Sequence, residues 1–140
     1  MRNKNCPFCN IGNRVILSGE YCNAALSDPR LLPGHTLVVP HRHVLNPDEL
    51  TETELLDIFR LIKRIRNVLM KNGATGCDIR QNYRPFIVQN KLKVDHIHFH
   101  VLPRTNEDVL YQKSMLFEKD IFEDLPESEL LKFTALLKHA

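Results

Sequence analysis

Polar and apolar positions alternate over short stretches of this chain, a pattern typical of strands with one buried face. Gly19-Glu20 separates the first two stretches and predicts a hairpin turn, and Pro33-Gly34 marks a loop before the third. The pattern predicts strands at residues 14–18, 21–26, 35–40 and 78–83, and within 94–103.

A period of three to four residues replaces the alternation after Thr51. Thr51 is a candidate helix N-cap, and Glu54, three residues later, completes a capping box. Asn72-Gly73 supplies the stop signal. Apolar residues follow the cap at helical spacing and predict the buried stripe of a long helix: Leu55, Phe59, Ile62, Ile65 and Leu69.

The order of these elements predicts an α+β domain, with an antiparallel sheet and helices packed on one face. We expect a single domain over residues 1–140, with a polar knuckle at 1–13 and a C-terminal extension at 105–140. Residues 128–139 predict a second helix, and four of its apolar side chains are available for packing: Leu130, Leu131, Phe133 and Leu137.

Composition narrows the class of protein. A chain of 140 residues with 43% hydrophobic residues is large enough to form one core without disulfides. Apolar runs are no longer than three residues, whereas a membrane helix needs ~20. The first residues show no secretion signal, which predicts a cytoplasmic protein. A net charge of +2 does not favour a nucleic-acid partner.

Two clusters carry candidate chemistry. Cys6 and Cys9 stand three positions apart, a spacing that suits either a metal knuckle or a redox pair. His96, His98 and His100 alternate along a predicted strand, with apolar residues between them, which places three imidazoles on one face. An exposed polar strand or a pure metal site would also explain the triplet. Neighbouring imidazoles disfavour protonation, so the histidines should be neutral near pH 7 and able to act as nucleophiles or ligands.

The segment His96-Ile97-His98-Phe99-His100-Val101-Leu102 resembles the signature of the histidine triad family. The earlier segment from Pro33 to His43 resembles a Gly-His strand of the same family. The resemblance implies a nucleotide-binding hydrolase or transferase that cleaves at the α-phosphate through a nucleotidyl-histidine. His98 would be the nucleophile, and His100 and His35 would donate hydrogen bonds to phosphate oxygens.

The same resemblance implies further contacts. Ser27 or Asp28 would reach a ribose hydroxyl, although both also suit a turn before Pro29. Asn82 would contact phosphate or steady the loop that follows it. The usual leaving-group residues before the triad have no counterpart, which leaves Gln89, Asn90 and Lys93 as alternatives. Three basic residues of this loop would either hold a polyphosphate or face solvent: Arg84, Lys91 and Lys93.

Zinc-bearing relatives imply a structural zinc site at Cys6, Cys9, His43 and His96, with His41 as an alternative to His43. The expected substrates are dinucleoside polyphosphates or nucleoside phosphoramidates, with a purine base, and a homodimer is also implied. Two other functions remain open. One is a nucleotide-sensing or scaffold module without catalysis, and the other is removal of adenylate from nucleic-acid ends.

Overall fold

The computed structural model describes residues 3–115 and 121–139 of the chain. These residues form five strands and two α-helices, with a 3-10 turn at Gly12–Arg14 before the first strand and another at Pro47–Glu49 before the first helix. A π-helical turn spans Tyr111–Met115. The strands are β1 (Val15–Ser18), β2 (Cys22–Leu26), β3 (Thr36–Pro40), β4 (Gly76–Gln81) and β5 (Phe99–Arg104), and the helices are α1 (Glu52–Lys71) and α2 (Glu127–Leu137).

All five strands form one antiparallel sheet in the order β1-β2-β3-β5-β4. Helix α1 packs across β2, β3, β5 and β4 on one face of the sheet. This arrangement confirms the predicted antiparallel α+β fold. The histidine segment enters the sheet centrally, because β5 lies between β3 and β4.

The N-terminus of α1 forms as predicted. The Thr51 hydroxyl accepts a hydrogen bond from the Glu54 amide, and the Glu54 carboxylate accepts one from the Thr51 amide. Glu54 is buried and also accepts two hydrogen bonds from the Arg42 guanidinium, at 3.0 and 2.8 Å. These contacts hold the pKa of Glu54 at about 2, with the hydrogen bond from Arg42 as the largest cause.

The predicted stripe of α1 was wrong in part. Leu55 and Phe59 are 37% and 50% exposed, whereas Ile58 and Leu61 are buried in the core. Several sets of apolar residues on this helix have the three-to-four spacing. Contact with the sheet buries a set that is shifted by about one residue from the predicted stripe. Phe59 keeps an edge-to-face contact with Phe99 of β5, with the ring centroids 6.0 Å apart.

The expected packing of the C-terminal helix is also not observed. Every described residue of α2 is exposed, including the four side chains predicted to pack, which are 49–70% exposed. The helix begins at Glu127 and ends at Leu137, close to the predicted bounds. Residues 1–2 of the predicted knuckle, and residues 116–120 and 140 of the predicted extension, lie outside the described residues.

The second face of the sheet carries a smaller apolar cluster made by Ile11, Ala25, Leu37 and Val39. Phe8, from the cysteine knuckle, packs against this cluster. The N-terminal segment therefore lies on the face opposite α1, which is also the face of the histidine cleft.

Candidate active site and metal centre

The three histidines of the triplet separate in the structure. Strand β5 begins at Phe99, so His96 and His98 precede it, and only His100 lies within the strand. The rings of His98 and His100 lie 4.8 Å apart on the face away from α1, while Phe99 and Val101 are buried beneath the helix. His96 turns instead toward His43, with ring centroids 4.9 Å apart. His98 and His100 therefore share one face as predicted, and His96 points toward the cysteine knuckle, which lies on the same side of the sheet.

His98 has the geometry of a neutral imidazole, and its Nε2 has no hydrogen-bond partner among residues 3–115 and 121–139. Its Nδ1–H donates a hydrogen bond to the backbone carbonyl of His96, at 2.7 Å. Burial lowers the pKa of His98 below its ordinary value, which favours the neutral ring at pH 7. Because Nδ1 carries the proton, the lone pair lies on Nε2.

A chain of hydrogen bonds assigns the tautomers of the other two cleft histidines. The Leu31 amide donates to Nδ1 of His35 at 3.1 Å, so Nε2 of a neutral His35 carries the proton. That Nε2–H donates to Nδ1 of His100 at 2.8 Å, which leaves the proton of His100 on its own Nε2. Burial lowers the pKa of His35 and lowers that of His100 to about 3, so both rings are neutral.

This chain differs from one expectation. Both ring nitrogens of His35 are engaged within the protein, and the residue is only 3% exposed. Direct donation from His35 to a phosphate oxygen does not fit this geometry. His35 instead orients His100, whose Nε2–H is the donor left for a ligand. Gly34, with φ +83°, makes the turn that brings His35 into place, and a Cβ there would lie 3.2 Å from Pro103.

A cavity of about 440 Å³ opens over these rings. Ser27 and Asp28 line it together with His35, His98 and His100, so the structure brings five of the predicted site residues together. The Ser27 hydroxyl is already engaged as a donor to the Pro29 carbonyl, at 2.8 Å. Asp28 is exposed, and no described residue pairs with its carboxylate.

Asn82 does not line this first cavity. It follows the end of β4 and is exposed, and it lines a neighbouring cavity that also reaches His98.

The three residues that were candidates for a leaving-group contact form hydrogen bonds and an ion pair within the loop that follows Asn82. The Gln89 side chain accepts from the Asp95 amide at 2.9 Å, and Lys93 forms an ion pair with Asp95 at 2.5 Å. The Asn90 side chain accepts from the Lys93 amide at 3.1 Å.

Cys6, Cys9, His43 and His96 form the metal-ligand cluster, with their ligand atoms within 4.8 Å of one another. The Cys6 Sγ and Cys9 Sγ atoms lie 3.4 and 3.7 Å from Nδ1 of His96, and Cys9 Sγ lies 3.3 Å from Nδ1 of His43. Zn–S bonds of about 2.3 Å and Zn–N bonds of about 2.0 Å at tetrahedral angles place S and N about 3.5 Å apart. The donor set and its spacings therefore fit Zn²⁺.

The environment of His96 also suits a metal ligand. Its Nε2–H donates to the carbonyl of Pro40 at 3.1 Å, which leaves the lone pair on Nδ1, the atom that faces the thiols. Burial lowers the pKa of His96 to about 4, which keeps the ring neutral. The cluster contains His43 and not the alternative, His41.

Phe8 is a site residue that the sequence interpretation did not single out. It lies between the two knuckle cysteines, and its ring makes edge-to-face contacts with His98 at 4.9 Å and with His96 at 6.2 Å. Phe8 also lines the first cavity. The position of Phe8 inside Cys-Pro-Phe-Cys could have indicated its role. If both cysteines of a short knuckle bind a metal beside the sheet, the two residues between them must also lie close to the site.

A family profile for the HIT domain matches residues 9–107. The chain belongs to the HIT family. This membership confirms the resemblance to histidine triad proteins, and the matched segment contains His98, His100 and three of the four clustered metal-ligand candidates.

Named HIT relatives include enzymes. The chain is 32% identical over 108 residues to adenosine 5'-monophosphoramidase of Schizosaccharomyces pombe, a match that covers 74% of this chain and 77% of that protein. It is 30% identical over 101 residues to the asymmetrical bis(5'-nucleosyl)-tetraphosphatase of the same organism, covering 70% of this chain and 53% of that protein. The chain thus spans about half the length of the tetraphosphatase.

A solved HIT structure also bears on the metal. The chain aligns with a zinc-bound histidine triad family protein from Mycobacterium smegmatis with a TM-score of 0.66 and 26% identity, covering 89% of this chain and 86% of that one.

Within the described residues, neither α-helix is both long and apolar enough to cross a membrane.

Proposed function

We propose that this HIT protein is a nucleotide hydrolase that cleaves at the α-phosphate through a nucleotidyl intermediate on His98. Its substrates are dinucleoside polyphosphates or nucleoside phosphoramidates, as the names of two relatives suggest. The observation that carries the proposal is a neutral, half-buried His98 that lines a cavity and whose Nε2 bonds to no described residue. Imidazole nitrogens are effective nucleophiles and good leaving groups, which divides one displacement into two easier ones.

In the first step, Nε2 of His98 bonds to the α-phosphorus while the bond to the leaving group breaks and that group departs with its electron pair. The ring becomes positively charged, and the hydrogen bond from Nδ1–H to the His96 carbonyl stabilises that charge. Water then attacks the phosphorus and loses one proton to solvent, the P–N bond breaks with its electron pair returning to Nε2 of His98, and a nucleoside monophosphate is released.

Other cleft residues have supporting roles in this proposal. The Nε2–H of His100 donates to a phosphate oxygen as charge develops there. Asp28 accepts a hydrogen bond from a ribose hydroxyl, because its carboxylate is exposed while the Ser27 hydroxyl is engaged. Asn82 contacts a phosphate from the neighbouring cavity.

Cys6, Cys9, His43 and His96 would hold a structural zinc ion. Four protein ligands leave no position for water, so the bound ion contributes by fixing the knuckle to the residues before β5. Phe8 would thereby be held against His98. A purine preference, a cytoplasmic location and a homodimer remain predictions.

The test is steady-state hydrolysis of diadenosine tetraphosphate and adenosine 5'-phosphoramidate by the wild type and by His98→Ala. We expect the wild type to release AMP and the variant to lose at least about a thousandfold in kcat, the order seen when a nucleophile is removed. His139→Ala, at an exposed histidine near the C-terminus, is the matched control and should behave as wild type. Wild-type turnover by His98→Ala would refute the proposal.

A further inference from the structure

A second cavity, also of about 440 Å³, reaches His98. It is formed by the loop that follows β4, and its lining includes Tyr83, Arg84, Val88 and Lys93. His98 and Val94 line this second cavity and the first, so the two cavities meet at the candidate nucleophile. The triad chemistry described above uses the first cavity and, apart from Asn82, leaves the second without a role.

The lining of the second cavity combines positive charge with an exposed aromatic and apolar surface. Arg84 is exposed, and its guanidinium has no ion-pair or hydrogen-bond partner among residues 3–115 and 121–139. Tyr83 is 50% exposed and Val88 is 86% exposed. Lys93 is already engaged by Asp95 and by the carbonyl of Ile87. Arg84 is therefore the cation available to a ligand.

These features match one class of ligand. A guanidinium can donate two parallel hydrogen bonds to the oxygens of one phosphate. Aromatic and apolar side chains can pack against the flat face of a base. The volume lies within the range of ordinary small-molecule sites, about 300–1,000 Å³. A phosphorylated nucleoside would use both the charge and the apolar surface.

We propose that the second cavity binds the departing nucleotide of a dinucleoside polyphosphate and so makes the enzyme favour such substrates over phosphoramidates. This inference rests on the proposed function. The retained nucleoside occupies the first cavity beside Asp28, with its α-phosphate at His98. The polyphosphate continues past His98 to the second cavity, where Arg84 contacts it.

The departing group explains why a second site would matter. Attack by His98 breaks the bond between the α-phosphorus and the bridging oxygen, which leaves with the electron pair as part of a phosphorylated nucleoside. The negative charge on that group increases in the transition state, and a contact from Arg84 stabilises it. A phosphoramidate releases only ammonia, which is too small to occupy the second cavity.

The experiment compares kcat/KM for diadenosine tetraphosphate with kcat/KM for adenosine 5'-phosphoramidate in the same enzyme preparation. In Arg84→Ala we expect the ratio of the two values to fall about tenfold, the effect of one lost hydrogen bond to a charged group. Arg84→Lys should recover part of the ratio, because it keeps the charge but not the paired donors. Arg64→Ala, at an exposed arginine of α1, is the matched control and should leave the ratio at the wild-type value.

The outcomes separate the two proposals. An unchanged ratio in Arg84→Ala, with both substrates hydrolysed, would overturn the second-cavity assignment and leave the hydrolase proposal intact. A wild type that hydrolyses only the phosphoramidate would overturn the second-cavity assignment as well. A wild type that hydrolyses neither substrate would refute both.

Discussion

Replacing His35 with phenylalanine removes both ring nitrogens and keeps a planar ring in a position that is 3% exposed. The variant loses the hydrogen bond from His35 Nε2 to His100 Nδ1, so neither the tautomer nor the orientation of His100 is fixed any longer. In the proposed mechanism His35 acts only through His100. The variant should therefore lower kcat with little effect on KM, since the defect appears when charge develops on the phosphate.

The size of the effect follows from the hydrogen bond. A neutral hydrogen bond contributes about 0.5–1.5 kcal/mol net, which shifts the tautomer populations of His100 by about two- to twelvefold. Complete loss of a donor to a developing oxyanion costs about 10²–10³ in kcat. We expect His35→Phe to fall between these limits, at about ten- to a hundredfold, and His100→Phe to lose about 10²–10³.

A double-mutant cycle tests the coupling. Steady-state kcat is measured for wild type, His35→Phe, His100→Phe and the double variant, and thermal unfolding confirms that each protein is folded. Because His35 has no role without His100, the double variant should be no slower than His100→Phe alone. Effects that multiply in the double variant would refute the relay and would indicate that His35 contacts substrate independently.

Other expected outcomes concern stability and the metal. Ile58→Ala should lower the free energy of unfolding by about 2–5 kcal/mol and Leu55→Ala by less than about 1 kcal/mol, measured by urea denaturation, because only Ile58 is buried. Glu54→Gln should be about 1–3 kcal/mol less stable at pH 7. The pKa of Glu54 is held at about 2 in the folded protein, below its ordinary value of 4.5. The stability deficit of the variant should therefore be complete above pH 4.5 and should shrink as the pH falls toward 2. A deficit that does not change with pH would contradict this explanation. Cys9→Ser should contain less zinc than the wild type, measured by elemental analysis, and should unfold at a lower temperature. A zinc content equal to that of the wild type would contradict the assignment of the cluster as a zinc site. Phe8→Ala should keep its zinc and lose about two- to tenfold in kcat, and a variant with wild-type kcat would show that the ring contact with His98 is dispensable.

Features that depend on neighbouring residues were predicted well. The capping box at Thr51 and the alternation along the strands report local hydrogen bonding and the burial of one face, and the observed elements lie close to their predicted bounds. The sequence did not predict correctly which side of α1 is buried. The helix has several apolar arcs at helical spacing, and only contact with the sheet selects one of them. The exposure of α2 has the same cause, since helical spacing shows that a face is apolar but not what covers it.

The division of the histidines depends on contacts between distant residues. The Cys6 thiol meets His96 across 90 positions of sequence, and His35 meets His100 across 65. The resemblance named these residues, but only the fold showed that His96 points toward the cysteine knuckle and that both ring nitrogens of His35 are hydrogen-bonded within the protein. Phe8 and the second cavity emerged in the same way, from a knuckle and a loop whose paths have no simple periodic signal.

The central claim is that His98 carries a nucleotidyl group during turnover. The most direct measurement is intact-protein and peptide mass spectrometry after rapid acid-free quenching of the wild type with diadenosine tetraphosphate. The mechanism predicts an adenylyl adduct on the peptide that contains His98, and no adduct in His98→Ala. Hydrolysis of the substrate by the wild type with no adduct at any time, or with an adduct on a different residue, would contradict it.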